Sequence, residues 1–287
     1  MVATQVSDAP VPTRPLEFDE CLDDLPRHFA REGDILGSHV LTVLSSVFPD
    51  GENYFVRSVE AVRSQIDDPR LRRDVEGFIG QESMHGREHA VLNERLAEFG
   101  YPTRAIGAYI RTTLRWRERI QSVKFNLAVT AALEHYTATL AETLLSDPAA
   151  REEIAHPGVR SLLMWHALEE SEHKAVAFDV YRAMGGTERM RKAAMWVVHI
   201  NFILETGTWT LISVAKDPDA RRHPFALLRG LVRLARSPFA RPRTVRQLFQ
   251  YHRRGFHPND RDTTALIAEW RERLFGPDGK LTDLVAS

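Results

Sequence analysis

With 287 residues, 43% hydrophobic and 27% charged, the chain has the composition of a globular protein and the length of one large domain or two small ones. A net charge of −1 gives no general attraction to nucleic acid. The single cysteine, Cys21, excludes an internal disulfide, so a reducing, cytoplasmic setting is the default expectation.

The first residues, MVATQVSDAPVPTRPLEFDE, lack the charged start and apolar stretch of a signal peptide. Their prolines and small polar residues predict a disordered lead-in over 1–30. A helix is expected over about 33–47, ended by a turn at Phe48-Pro49-Asp50-Gly51, and a second over about 52–66 with Asp50 as its cap. Asp67-Asp68-Pro69 breaks the chain, and Pro69 suits the first turn of the next helix, which runs to about 99. Another covers about 103–119 and can continue into 122–145. After a looser stretch over 146–158, a helix runs from about 159 to 184 and stops at Gly185-Gly186. Further helices are expected at about 187–215, 224–236, 242–253 and 260–274. No stretch shows sustained strand alternation, so the expected class is all-α: a four-helix bundle over 31–186 with a helical extension, 187–287, packed on it.

Residues 193–215 are long and apolar enough to raise a membrane question, but His199, Asn201 and Glu205 interrupt them, and a buried core helix is expected. From Arg221 to Asn259 there are ten arginines and no acidic residue, so the remainder of the chain carries −1 − 10 = −11. In PFALLRGLVRLARSPFA the arginines alternate with apolar residues at helical spacing. That pattern suits a solvated helix on an acidic bundle, or a peripheral membrane contact or anionic-substrate face through 221–254.

Chemistry concentrates in GQESMHGREH (80–89) and WHALEESEHKAVAFDVY (165–181). Each holds Glu-x-x-His, as Glu82/His85 and Glu170/His173, and residues three apart on a helix project from nearly one face, where they can close on one cation. Two such pairs joined by two further glutamates, Glu52 and Glu134, make the inventory of a ferritin-like dimetal bundle. Register agrees. About a turn centred near 68, Glu52 and Glu82 lie 16 and 14 residues away, a mismatch of about 3 Å at 1.5 Å per residue. About a connection centred near 152, Glu134 and Glu170 each lie 18 residues away. Both hairpins therefore deliver their carboxylates to one layer. The small apolar neighbours of Glu134 make its burial costly unless a cation holds it.

Glu52 follows Gly51 at an expected helix start, where serving the helix dipole is the alternative role, with Glu60 as its replacement. His89 and His166 share the faces of the two motifs and are expected to orient ligands or to add to them. Glu169 and Glu172 are expected to point into solvent. Four carboxylates with two imidazoles suit two divalent ions, iron first and manganese as the alternative, better than copper or structural zinc.

The blocks FPDGENYFVRSVE, FIGQESMHGREH, ALEHYTA, WHALEESEHKAVAFDVY and YHRRGFHPND resemble the predicted metal-dependent hydrolase family, over about 40–260. The resemblance implies Glu52, Glu82, His85, Glu134, Glu170 and His173 as ligands of a site similar to ferritin-like diiron proteins. Asn259 departs from the aromatic residue common at that place, so no role is assigned to His257. Three functions follow as expectations: an oxygen-activating diiron oxidoreductase on a small organic or lipid-like substrate, a dimetal hydrolase using a metal-bridging hydroxide with His89 or His166 as proton donor, and a non-enzymatic storage or structural dimetal bundle.

Overall fold

The chain passes through Phe48-Pro49-Asp50-Gly51 without turning. In the computed structural model, which describes residues 11–285, a single helix α1 spans Ile35–Glu60. The expected break fails because the groups that Pro49 disturbs are satisfied from elsewhere. Proline offers no N–H to the Ser45 carbonyl, a defect that ordinarily costs about 3 kcal/mol. Here Asn93 Nδ2 donates to that carbonyl at 3.0 Å, while Ser45 Oγ donates to Asn93 Oδ1 at 2.8 Å. Asn53 Nδ2 also donates to the Pro49 carbonyl at 2.7 Å. Asn93→Ala is therefore expected to destabilise the protein by about 1–3 kcal/mol, the cost of an orphaned buried carbonyl, in urea unfolding. A loss below about 0.5 kcal/mol would mean that Ser45 finds another donor.

The remaining helices are α2 (Pro69–Glu98), α3 (Thr103–Ile120), α4 (Val123–Ser146), α5 (Pro148–Glu152), α6 (Pro157–His173), α7 (Val176–Ala183), α8 (Glu188–Lys216), α9 (Pro218–Arg222), α10 (Pro224–Arg236), α11 (Pro242–Gln250) and α12 (Thr264–Phe275). The fold is all-α; among the described residues the only extended pairings are isolated bridges, Leu16 with Val285 and Ala30 with Ile154. Asp68 caps α2 by accepting from the Arg70 N–H, and Ser122 starts α4 afresh by accepting from the Phe125 N–H, so α3 does not continue into it. The helix expected over 159–184 is interrupted just past His173, where Lys174 Nζ is tied to the Arg261 carbonyl and to Thr263 Oγ1, each at 2.8 Å.

The lead-in is ordered over 11–30, against the expectation of disorder; residues 1–10 lie outside the described residues. Leu16, Phe18, Leu22, Leu25 and Phe29 are buried, and each such side chain contributes about 1.5–3 kcal/mol against the entropy of ordering the segment. Gly77 lets the lead-in lie against α2, since a Cβ there would stand 2.2 Å from the Val11 carbonyl oxygen.

Two apolar clusters result. One gathers Val59, Phe78, Leu127, Val180 and Met195; the other gathers Phe18, Leu92, Leu96, Trp165 and Trp270. Along α2 and along α6–α7 the buried polar residues fall between them, so the polar layer is sealed by hydrocarbon at both ends. The extension packs on this core: α8 lies on α1 and α4, α10 on α1, α11 on α4 and α12 on α6. α8 is a core helix on one face only. Ala194, Met195 and Val198 are buried, whereas Trp196, Ile200, Ile203, Leu204 and Leu211 are exposed.

Candidate metal centre

Four helix segments bring the six expected ligands together. Glu52 comes from α1, Glu82 and His85 from α2, Glu134 from α4, and Glu170 and His173 from α6. None is more than 2% exposed. Because α1 continues through Pro49, Glu52 sits inside a helix rather than at its start, and the dipole role does not apply. Glu60, its proposed replacement, is exposed. Gly86 makes room for Glu52: a Cβ there would lie 3.2 Å from Glu52 Oε2 and 3.6 Å from the Pro49 Cα.

The donor atoms divide into two groups. In the first, one donor atom from each of Glu52, His85 and His166 lies within 4.8 Å of the others; in the second the same holds for Glu82, Glu170 and His173. Glu134 joins the second, with Oε2 3.5 Å from His173 Nε2, and Glu82 Oε1 approaches the same nitrogen to 3.0 Å. Glu170 stands between the groups. Its Oε1 lies 3.0 Å from His166 Nε2 and 3.9 Å from His85 Nδ1, while its Oε2 lies 3.6 Å from His173 Nε2. Thr137 Oγ1 donates to that second oxygen at 2.5 Å.

Both carboxylate oxygens of Glu52, Glu82 and Glu134, together with His85 Nδ1 and His173 Nε2, are buried without a hydrogen-bond partner. Orphaned polar atoms of this kind are costly, and eight at one place, six of them carboxylate oxygens, mark a site built for cations. Protonation tells the same story. Burial, then the neighbouring carboxylates, pushes Glu52 well above the usual range; burial and Glu134 do the same for Glu82. Burial and Glu170 push Glu134 up to about 7. Glu170 goes the other way: burial opposes its ionisation but is outweighed by His173 and His166, and His173 is correspondingly raised.

The ring nitrogens turned away from the centre are held by side chains. Gln81 Oε1 lies 2.7 Å from His173 Nδ1, and Glu169 Oε2 lies 3.0 Å from His85 Nε2. These contacts fix each ring and leave His173 Nε2 and His85 Nδ1 aimed inward. The Glu169 and Glu172 side chains are thus buried, not solvated as expected. Arg14 spans both, at 2.8 Å from Glu169 Oε1 and 2.8 and 2.9 Å from the two oxygens of Glu172. Burial holds Glu169 up at about 7 against the pull of Arg14. Of the two roles expected of it, orienting a ligand or adding to the set, His166 has the geometry of the second: it faces the centre as a donor and stacks on His85 with ring centres 4.1 Å apart. His89 lies behind it, with Nε2 2.8 Å from His166 Nδ1 and Nδ1 2.9 Å from Ser45 Oγ.

A third cluster, His28, His39 and Asp217, has donor atoms as close together but a different character. Asp217 Oδ2 meets His28 Nε2 at 2.9 Å and His39 Nε2 at 3.0 Å, Asp217 Oδ1 accepts from Arg27 and the Asp219 N–H, and His39 Nδ1 meets Ser213 Oγ. No buried side-chain atom of His28, His39 or Asp217 lacks a partner, and the Arg27 guanidinium already supplies positive charge, so the cluster pins the end of α8 without any need for a cation.

Sequence reasoning missed Glu169, Glu172, Gln81 and Arg14. A helical wheel turns residues 169 and 170 about 100° apart and so places Glu169 away from the site, with no sign that His85 arrives from α2 on that side. Gln81 was the more legible, since it shares a face with His85 four residues later.

No curated protein and no solved structure matches the chain. The family model described as predicted metal-dependent hydrolase does match, over residues 12–262, a span that takes in every residue of the buried cluster. The chain belongs to the predicted metal-dependent hydrolase family.

Proposed function

We propose that the cluster holds two divalent ions, iron first and manganese as the alternative, and that the protein is an oxygen-activating oxidoreductase acting on a small organic or lipid-like molecule. The observation that carries this reading is Glu170, whose two oxygens face two separate sets of donors. One set is Glu52, His85 and His166; the other is Glu82, Glu134 and His173. Four carboxylates and three imidazoles form a hard, oxygen-rich set of the kind that suits iron or manganese, and the donor inventory is that of ferritin-like dimetal bundles with one extra imidazole. Bound iron would supply the electrons that dioxygen accepts. The protein's own part is to hold the donors in place and to exclude water with the Phe48, Phe78 and Trp165 rings around the imidazoles.

The family's description favours a second reading, a dimetal hydrolase. Hydrolysis needs a proton donor for the leaving group besides the metal-held water. His166 is occupied in the first donor set and His89 is committed to His166 and Ser45, so neither expected donor is free. That weighs toward oxidation.

Anaerobic loading with ferrous iron, metal counting and then exposure to oxygen test the proposal. About two irons per chain with stoichiometric oxygen uptake are the expected result. Turnover of an ester or phosphoester with zinc or manganese and no oxygen requirement would replace it with the hydrolase. Uptake of many irons per chain would point to storage.

A further inference from the structure

The arginine-rich segment plays no part in the buried cluster, and it borders an apolar surface that none of the described residues covers. On α8, Trp196, Ile203 and Leu211 face outward, the last two 69% and 73% exposed; on α10, Phe225, Leu228 and Leu231 do the same, with Phe225 77% exposed. Both helices lie on α1, joined by the five-residue α9. At 100° per residue Phe225, Leu228, Leu231 and Val232 of α10 fall within about 120°, and Arg229 and Arg236 run along one border of that stripe.

We propose that this face docks on an anionic lipid bilayer, the apolar stripe entering the interface while the arginines bind lipid phosphates. Charge decides the occupant. Of the ten arginines over 221–254, Arg222, Arg233, Arg241 and Arg253 have acidic partners. Arg221, Arg229, Arg236, Arg243, Arg246 and Arg254 have no acidic partner within 4.0 Å among the described residues, and no acidic residue interrupts the run. A second copy related by a twofold axis would set these arginines against their own kind, whereas an anionic bilayer supplies the missing negative charge. The contact is peripheral. α8 is long and apolar enough to cross a membrane by length and composition, but its inner face is buried on α1 and α4 and carries the buried Arg191 and His199. This inference stands independently of the chemistry proposed for the metal centre.

The test is flotation of the full-length, metal-loaded protein with phosphatidylcholine vesicles and with vesicles containing about 30% phosphatidylglycerol, at low and high salt. Binding to the anionic vesicles alone, weakened by salt, is expected. Arg229→Glu with Arg236→Glu should lower the partition coefficient at least about tenfold, and so should Leu228→Ser with Leu231→Ser, with far-ultraviolet circular dichroism unchanged. The proposal fails if neither vesicle binds, if both bind equally, or if the variants bind like the parent. It also fails if the protein sediments as a dimer that the Leu228→Ser, Leu231→Ser pair dissociates and that does not float, since the face then belongs to a second copy.

Discussion

Glu134→Gln is expected to stabilise the metal-free protein at pH 8 and to blunt its response to metal. Glu134 is fully buried, and its carboxyl is raised from an ordinary 4.5 to about 7, burial being the main cause and Glu170 the next. An acid raised by folding contributes stability in full below its unfolded value and loses it as pH rises through the folded one. For Glu134 that window runs from 4.5 to about 7, and the deficit above it is roughly 3 kcal/mol. Glu52 and Glu82, raised for the same reasons, act with the same sign, as does His173, whose raised value makes its contribution fade with increasing pH. His85 and His89 are depressed by burial, so above pH 6.5 they are neutral in both folded and unfolded chains and drop out. The metal-free parent should therefore lose thermal stability between pH 6.5 and 8. Glutamine keeps the shape of Glu134 without its charge, and at pH 8 it should raise the melting temperature on the order of 5 °C. Divalent metal reverses the order: manganese should stabilise the parent strongly, while the variant binds it more than about 100-fold more weakly, beyond the range usual for outer hydrogen-bonding partners. Thermal unfolding with chelator and with manganese at the two pH values reads both effects. A variant less stable than the parent without metal, or with undiminished affinity, would remove Glu134 from the centre.

Arg14→Ala is expected to cost about 3–5 kcal/mol, because it leaves buried carboxylates short of their cation. Glu169 would keep only His85, and Glu172 would keep Arg271 at 2.5 Å and Gln81 at 3.0 Å. The damage should reach the centre as well as the fold. With Glu169 no longer fixed by the guanidinium, its hold on the outer nitrogen of His85 loosens, and metal affinity should fall about 10–100-fold. Arg14→Lys should recover part of the stability, since an ammonium pairs with one carboxylate but cannot span two as the guanidinium fork does. Chemical denaturation together with metal titration checks the pair. A stability loss under about 1 kcal/mol would show the lead-in to be held by its apolar side chains alone.

The sequence by itself determined the helical class, most of the helix ends and the convergence of six side chains. Those features are local or periodic: Pro69 after a capping Asp68, Ser122 ahead of α4, Glu-x-x-His at helical spacing, and equal distances from two turns. Tertiary structure alone decided the continuity of α1, because Asn93 lies 48 residues from the Ser45 carbonyl it rescues. It likewise decided that residues 11–30 are ordered, that the Glu169 and Glu172 side chains are buried beneath Arg14, and that His166 faces the centre. The reason is common to all of these. Whether a proline breaks a helix, or a glutamate seeks water, depends on which polar group arrives from another part of the chain, and helical periodicity describes only the helix that carries it.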